Sequence, residues 1–109
     1  MTEEVQLVTK TLSWSASQEV WQSTNYRVAS LYLRLAMQHQ HMARRAAPLL
    51  MRVIPKTWAR VIDRLSARSS EALETLSRYV PVTIETADGC LVVVVDGKAT
   101  MIESSKSVH

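Results

Sequence analysis

The chain contains no phenylalanine, a single cysteine and only two glycines. Each scarcity removes something. Without Phe, a core has to be filled by Leu, Val, Ile, Met and Tyr, together with Trp14, Trp21 and Trp58. One thiol, Cys90, forbids an intrachain disulfide, and it reads as a small apolar residue beside a turn. A catalytic thiol would need a base and an orienting group, and nothing in the sequence places either beside Cys90. Both glycines follow aspartate, in Asp88-Gly89 and Asp96-Gly97, so no phosphate-cradling loop or dinucleotide fingerprint can be assembled. No stretch approaches ~18 uninterrupted apolar residues, which excludes a membrane-spanning helix. The acidic start, Met1-Thr2-Glu3-Glu4, has no apolar run behind it, so no signal peptide is expected and the expectation is a cytoplasmic protein.

Acid is scarce in the middle of the chain. The formal charge of +3 conceals three unequal parts. Residues 1–26 set Lys10 against Glu3, Glu4 and Glu19. Residues 27–68 set Arg27, Arg34, Arg44, Arg45, Arg52, Lys56, Arg60, Arg64 and Arg68 against Asp63 alone. Residues 69–109 carry Arg78, Lys98 and Lys106 against six acids: Glu71, Glu74, Glu85, Asp88, Asp96 and Glu103. A block as basic as the middle one invites an anionic partner, although it can also pair in part with the acidic ends of its own chain.

What is present is enough for one domain of 109 residues, 47% apolar, with a core that needs no staple. Residues 4–12 alternate β-branched and polar side chains and predict a strand. Ser15 with Gln18 fits a capping box, and Glu19 suits a positive first turn, so a helix is expected over 16–46. Trp21, Val28, Leu35 and Met42 recur every seven residues, with Leu31, Tyr32 and Ala46 beside them, and are the expected core stripe. Tyr26, Leu33 and Met37 form a second apolar row on nearly the opposite side, expected to be an oligomer interface. A basic edge of Arg27, Arg34, His41 and Arg45 lies between the two rows. Pro48 is expected to end this helix, with 48–54 a packed connector. Pro55 then suits the first turn of a second helix over 55–79.

The second helix has an expected core of Trp58, Ile62, Leu65, Ser69, Ala72, Leu76 and Tyr79, spaced by fours and threes. Lys56, Arg60, Arg64 and Arg68 step by four along another side, while Glu71 and Glu74 fall late. That order opposes the helix dipole. It suggests that Arg52, Lys56 and Arg60, gathered at a helix N-terminus, serve to attract phosphate or carboxylate. Arg68 with Glu71 and Glu74 with Arg78 are expected pairs.

The two Asp-Gly turns punctuate a three-stranded meander over 80–103. The second turn would pair Val95 with Lys98, Val93 with Thr100 and Leu91 with Ile102. The first would pair Val82 with Val95 and Ile84 with Val93. Val82, Ile84, Leu91, Val93, Val95 and Ile102 would then face the helices, leaving Thr83, Glu85, Val92, Val94, Ala99 and Met101 outward. Residues 104–109 read as a polar, frayed tail. The expected fold is therefore α+β, two long antiparallel helices packed on a small antiparallel sheet in the order β-α-α-β-β-β.

No catalytic or metal-binding constellation emerges. His39 and His41 are two apart on a helix and cannot chelate one ion; His39 reads as a core residue and His41 as part of the basic edge. Asp88 and Asp96 are accounted for by their turns. No enzyme, metal or cofactor is expected. The primary expectation is a small accessory protein that forms a homo-oligomer and grips nucleic-acid backbone through its nine central basic residues, without reading sequence. The alternative is a protein-interaction module whose basic surface meets an acidic protein. Adsorption to a membrane surface through a basic amphipathic helix is a weaker third.

Overall fold

A computed structural model describes residues 2–6 and 10–103. The element order is β1 (Thr2–Gln6), β2 (Lys10–Ser15), α1 (Gln18–Trp21), α2 (Thr24–Val53), α3 (Pro55–Ser77), β3 (Val82–Thr86), β4 (Leu91–Val95) and β5 (Lys98–Glu103). The five strands form one antiparallel sheet in the order β1-β2-β3-β4-β5, and α2 and α3 pack against each other beside it. The architecture is α+β, as the sequence predicts.

The N-terminal strand is a hairpin, not a single strand. Val5 pairs with Leu12, and β2 then pairs with β3, so the first hairpin extends the C-terminal meander. The chain leaves β2 at Ser15, where a helix cap was expected. The cap is Ser17, whose Oγ accepts the Val20 amide at 3.3 Å. The resulting α1 lasts one turn and breaks at Gln22. Ser23 then caps α2 by accepting from the Tyr26 amide.

Pro48 does not end the helix; α2 runs through it to Val53. A mid-helix proline removes one intrahelical hydrogen bond and crowds the turn before it. Here α2 packs on α3, and Ala47 and Leu50 on either side of the proline are half-buried, so tertiary packing outweighs the local cost. The same pre-proline restriction does act at Ile54, which takes φ −137° and ψ 62° before Pro55 opens α3. One residue thus joins two long helices.

The faces of α2 are reversed from the sequence expectation. Tyr26, Leu33 and Met37 are the core residues, with Ala29, Ser30, Ala36 and Gln40 beside them, whereas Val28, Leu31, Tyr32, Leu35 and Met42 are exposed. The buried set follows spacings of three and four once alanine and serine are counted. Small side chains let α2 approach α3 closely, and a stripe drawn through large residues alone misses them. His39 lies with the exposed set, not in the core. The core stripe of α3 is as expected at Trp58, Ser69, Ala72 and Leu76, with Ile62 and Leu65 half-buried; Tyr79 lies past the helix end and is exposed. The polar member of that stripe is satisfied, since Ser69 Oγ donates to Gln40 Oε1 at 3.1 Å.

The meander shows a second reversal. Asp96 (φ 50°) and Gly97 (φ 79°) make the expected two-residue turn, and Val95 pairs with Lys98 and Val93 with Thr100. The first turn is one residue longer. Thr86 N donates to Cys90 O at 2.9 Å and Gly89 N to Thr86 O at 3.0 Å, so Ala87, Asp88 and Gly89 form the loop. Val82 therefore pairs with Val94 and Ile84 with Val92, one residue off the expected register. A one-residue slip exchanges the faces of a strand. Val92 and Val94 share the helix side with Val82 and Ile84, and Leu91, Val93 and Val95 lie on the outer face. A bulge between Leu91 and Val92 then shifts the partner of Leu91 from Ile102 to Glu103. Leu7–Thr9 and the expected tail 104–109 lie outside the described residues.

The helices outreach the sheet. At about 1.5 Å per residue, the 30 residues of α2 span about 45 Å, against about 20 Å for strands of five or six residues. Every fully buried helix residue lies in 26–40 or 69–77 except Trp58. The remainder, from Met42 through the Ile54 bend to Arg64, projects as a helical arm.

Candidate interaction surface on the helical hairpin

All nine central basic residues are exposed: Arg27, Arg34, Arg44, Arg45, Arg52, Lys56, Arg60, Arg64 and Arg68. They are not brought into one cluster. Arg27, Arg34, Arg45 and Arg52 recur at intervals of seven and eleven residues, which places them on one flank of α2. That flank borders β1, because Arg34 Nη1 donates to Glu3 Oε1 at 2.8 Å, and Ser30, one turn back, donates to Glu3 Oε2 at 2.6 Å. Arg44 lies apart from this row. Lys56, Arg60, Arg64 and Arg68 step by four along α3, as expected, and wind slowly about it.

Ion pairing leaves nearly all of this charge open. Among the described residues the ion pairs are Arg34–Glu3 and Arg78–Glu74, the latter at 3.6 Å; Arg68 and Glu71 do not pair. The sequence from Val20 to Ile62 holds no Asp or Glu at all. Local carboxylates therefore cannot neutralise α2 or the bend.

Between the basic rows lies an apolar lane. Val28, Leu35, Met42 and Leu49 recur every seven residues on the side of α2 turned from the sheet, and are 61%, 43%, 60% and 65% exposed. At one end the lane deepens into a groove of about 260 Å³, lined by Asn25, Val28, Ala29 and Tyr32 of α2 and by Thr75 and Tyr79 at the end of α3. Thr75 and Tyr79 fix which side of α3 borders the lane. Arg68, seven residues before Thr75, and Val61, fourteen before it, fall on the same side by helical periodicity, with Arg64 next to them. The sequence shows the seven-residue row clearly, but not that it faces out.

The expected oligomer row of Tyr26, Leu33 and Met37 lies inside the fold and presents no surface. Tyr26 accepts a hydrogen bond from Trp14 Nε1 at 3.1 Å, and the Trp21 ring lies 6.1 Å away, tilted by 50°. Burial raises the Tyr26 hydroxyl above the ordinary tyrosine value, the Trp14 hydrogen bond opposes that rise, and Glu3 adds to it. His41 is half-buried at a cleft between β1 and α2 lined also by Val5, Arg34 and Met37. Cys90 is half-buried in the first meander loop, where its amide donates to Thr86 Oγ1 at 3.0 Å. Among the described residues no group of three or more His, Cys, Asp or Glu side chains is arranged to hold a metal ion, and no helix is long and apolar enough to cross a membrane.

The fold and this surface define the chain as a helical hairpin laid on a five-stranded antiparallel sheet, with a basic, partly apolar outer side. No family model, curated protein or solved structure matches it.

Proposed function

We propose that the protein is a non-catalytic interaction module that binds an acidic protein through the outer side of its helical hairpin. One observation carries this reading: an exposed apolar lane runs between two rows of cations, only one of which, Arg34, has an ionic partner among the described residues. Cations steer an acidic surface into place, and apolar side chains hold it once water is excluded.

Nucleic-acid backbone is a second reading, supported by the regular row of Lys56, Arg60, Arg64 and Arg68. Phosphate contacts need only such cations. The apolar lane gives no help to that reading, since its side chains have nothing to gain against phosphate.

Fluorescence anisotropy with labelled poly-glutamate, duplex DNA and single-stranded RNA, between about 50 and about 200 mM salt, tests both readings. Binding that weakens with salt, and that falls when Arg60, Arg64 and Arg68 are changed to Glu, is expected. Absence of binding to every anionic probe at the lower salt would overturn both.

A further inference from the structure

We infer that the occupant of the lane is an amphipathic helix with an apolar stripe and carboxylates on both flanks, lying along α2 with one large side chain seated in the groove between Val28, Tyr32 and Tyr79. This rests on the reading of the hairpin as a docking surface for an acidic protein. It adds the shape of the bound element and where it is anchored.

The spacing argues for a helix. Val28, Leu35, Met42 and Leu49 repeat every seven residues along α2 in a row that drifts only about 20° per repeat, the period at which a second helix presents its own apolar residues. An extended strand would present side chains every other residue and would fall out of step within a turn or two. The groove supplies the concave contact that a helix-in-groove complex uses as its anchor.

Charge selects the partner's chemistry. Arg27, Arg34, Arg45 and Arg52 border the lane on one side, and Arg64 and Arg68 border it on the other. A second copy of this chain pairing α2 on α2 would oppose these arginines to their own kind, with no carboxylate between Val20 and Ile62 to relieve them. A helix with Glu or Asp on both flanks meets a cation on each side. Two of the three acids of α3, Glu71 and Glu74, come after Arg68, with Asp63 alone before it, and Glu74 is held by Arg78. The positive field is therefore strongest toward the bend, and the partner's more acidic end lies there. A lipid surface fits less well, because the anchor site is a concavity and the lane holds no Trp or Phe to insert.

The test uses a synthetic acidic peptide of about three heptads, with Leu on one stripe and Glu on both flanks, beside a charge-matched peptide whose Leu are Ser. The whole chain should bind the first at least about 10-fold tighter than the second. Leu35→Asp with Met42→Asp, both exposed and removable without opening the core, should cost at least that factor while circular dichroism and melting stay unchanged. Tyr32→Ala and Tyr79→Ala give a second, neutral check on the groove. Equal binding of the two peptides would overturn the helix and leave the acidic-protein reading standing. Binding of duplex DNA but of neither peptide would overturn both in favour of nucleic acid. Binding to vesicles of phosphatidylglycerol that is lost on Leu35→Asp would assign the lane to a lipid surface. A dimer by light scattering, dissolved by the same substitution, would assign it to a second copy.

Discussion

Trp14 on β2 donates its indole N–H to the hydroxyl of Tyr26 on α2 at 3.1 Å, with both side chains buried. This bond joins the N-terminal hairpin to the helical layer. Tyr26→Phe keeps the ring and strips the acceptor, leaving a buried indole N–H unpaired. The expected loss is about 1–3 kcal/mol in urea unfolding, with the slope unchanged.

Tyr26 also makes the fold sensitive to alkali. Burial holds its folded pKa above the unfolded value of about 10, so its contribution is complete below that pH and is lost as pH rises through the raised folded value. Phenolate absorbance should show one tyrosine titrating late, and Tyr26→Phe should remove that one. On the acid side, the Thr86 hydroxyl donates to Asp88 and holds its carboxyl below the ordinary value. That interaction is intact above about pH 4 and is lost as pH falls through the lowered folded pKa, which carboxyl chemical shifts of wild type and Thr86→Val would register.

Leu33 and Leu35 are chemically identical and two residues apart, yet Leu33 is 0% exposed and Leu35 faces out. Leu33→Ala is expected to cost about 2–5 kcal/mol through lost burial and a cavity. Leu35→Ala should stay within about 0.5 kcal/mol. Thermal unfolding of the two variants checks the assignment of α2's faces; similar losses would mean the faces are wrong.

Ser77 ties the end of α3 to the second meander turn. Its Oγ accepts the Gly97 amide at 2.8 Å and donates to Glu74 O at 2.7 Å, while its carbonyl accepts the Asp96 amide at 2.9 Å. Ser77→Ala leaves both part-buried side-chain bonds unmade and should cost about 1–2 kcal/mol. Gly97→Ala should cost a similar ~1–2 kcal/mol, because φ is 79° and a Cβ would stand 3.1 Å from Glu74 Cγ. Amide exchange across 95–98 should accelerate in both variants.

The buried Gln40–Ser69 pair is a side-chain hydrogen bond between α2 and α3. Ser69→Ala orphans the Gln40 carbonyl and is expected to cost about 1–3 kcal/mol. Ser69→Ala with Gln40→Leu replaces both partners by apolar groups and should recover part of that loss, a coupling that a double-mutant cycle in urea measures.

The sequence by itself determined the α+β class, the long second helix with its buried stripe, and the two-residue turn at Asp96-Gly97. These are set by local terms: apolar periodicity along α3, a proline at its first position, and an Asp-Gly pair that favours one turn geometry. It also determined the basic, acid-free middle of the chain. Tertiary structure alone decided which of two apolar rows on α2 is core. Both rows have helical spacing, and the choice fell to the side where Ala29, Ser30 and Ala36 allow close approach. It decided that α2 continues through Pro48, because packing on α3 holds the flanking turns. It decided the register of β3 on β4, where one extra loop residue at Ala87 exchanged the faces of Val93 and Val94. The surface followed from the first of these decisions. Once Tyr26, Leu33 and Met37 went inward, Val28, Leu35, Met42 and Leu49 had to face out between the arginines.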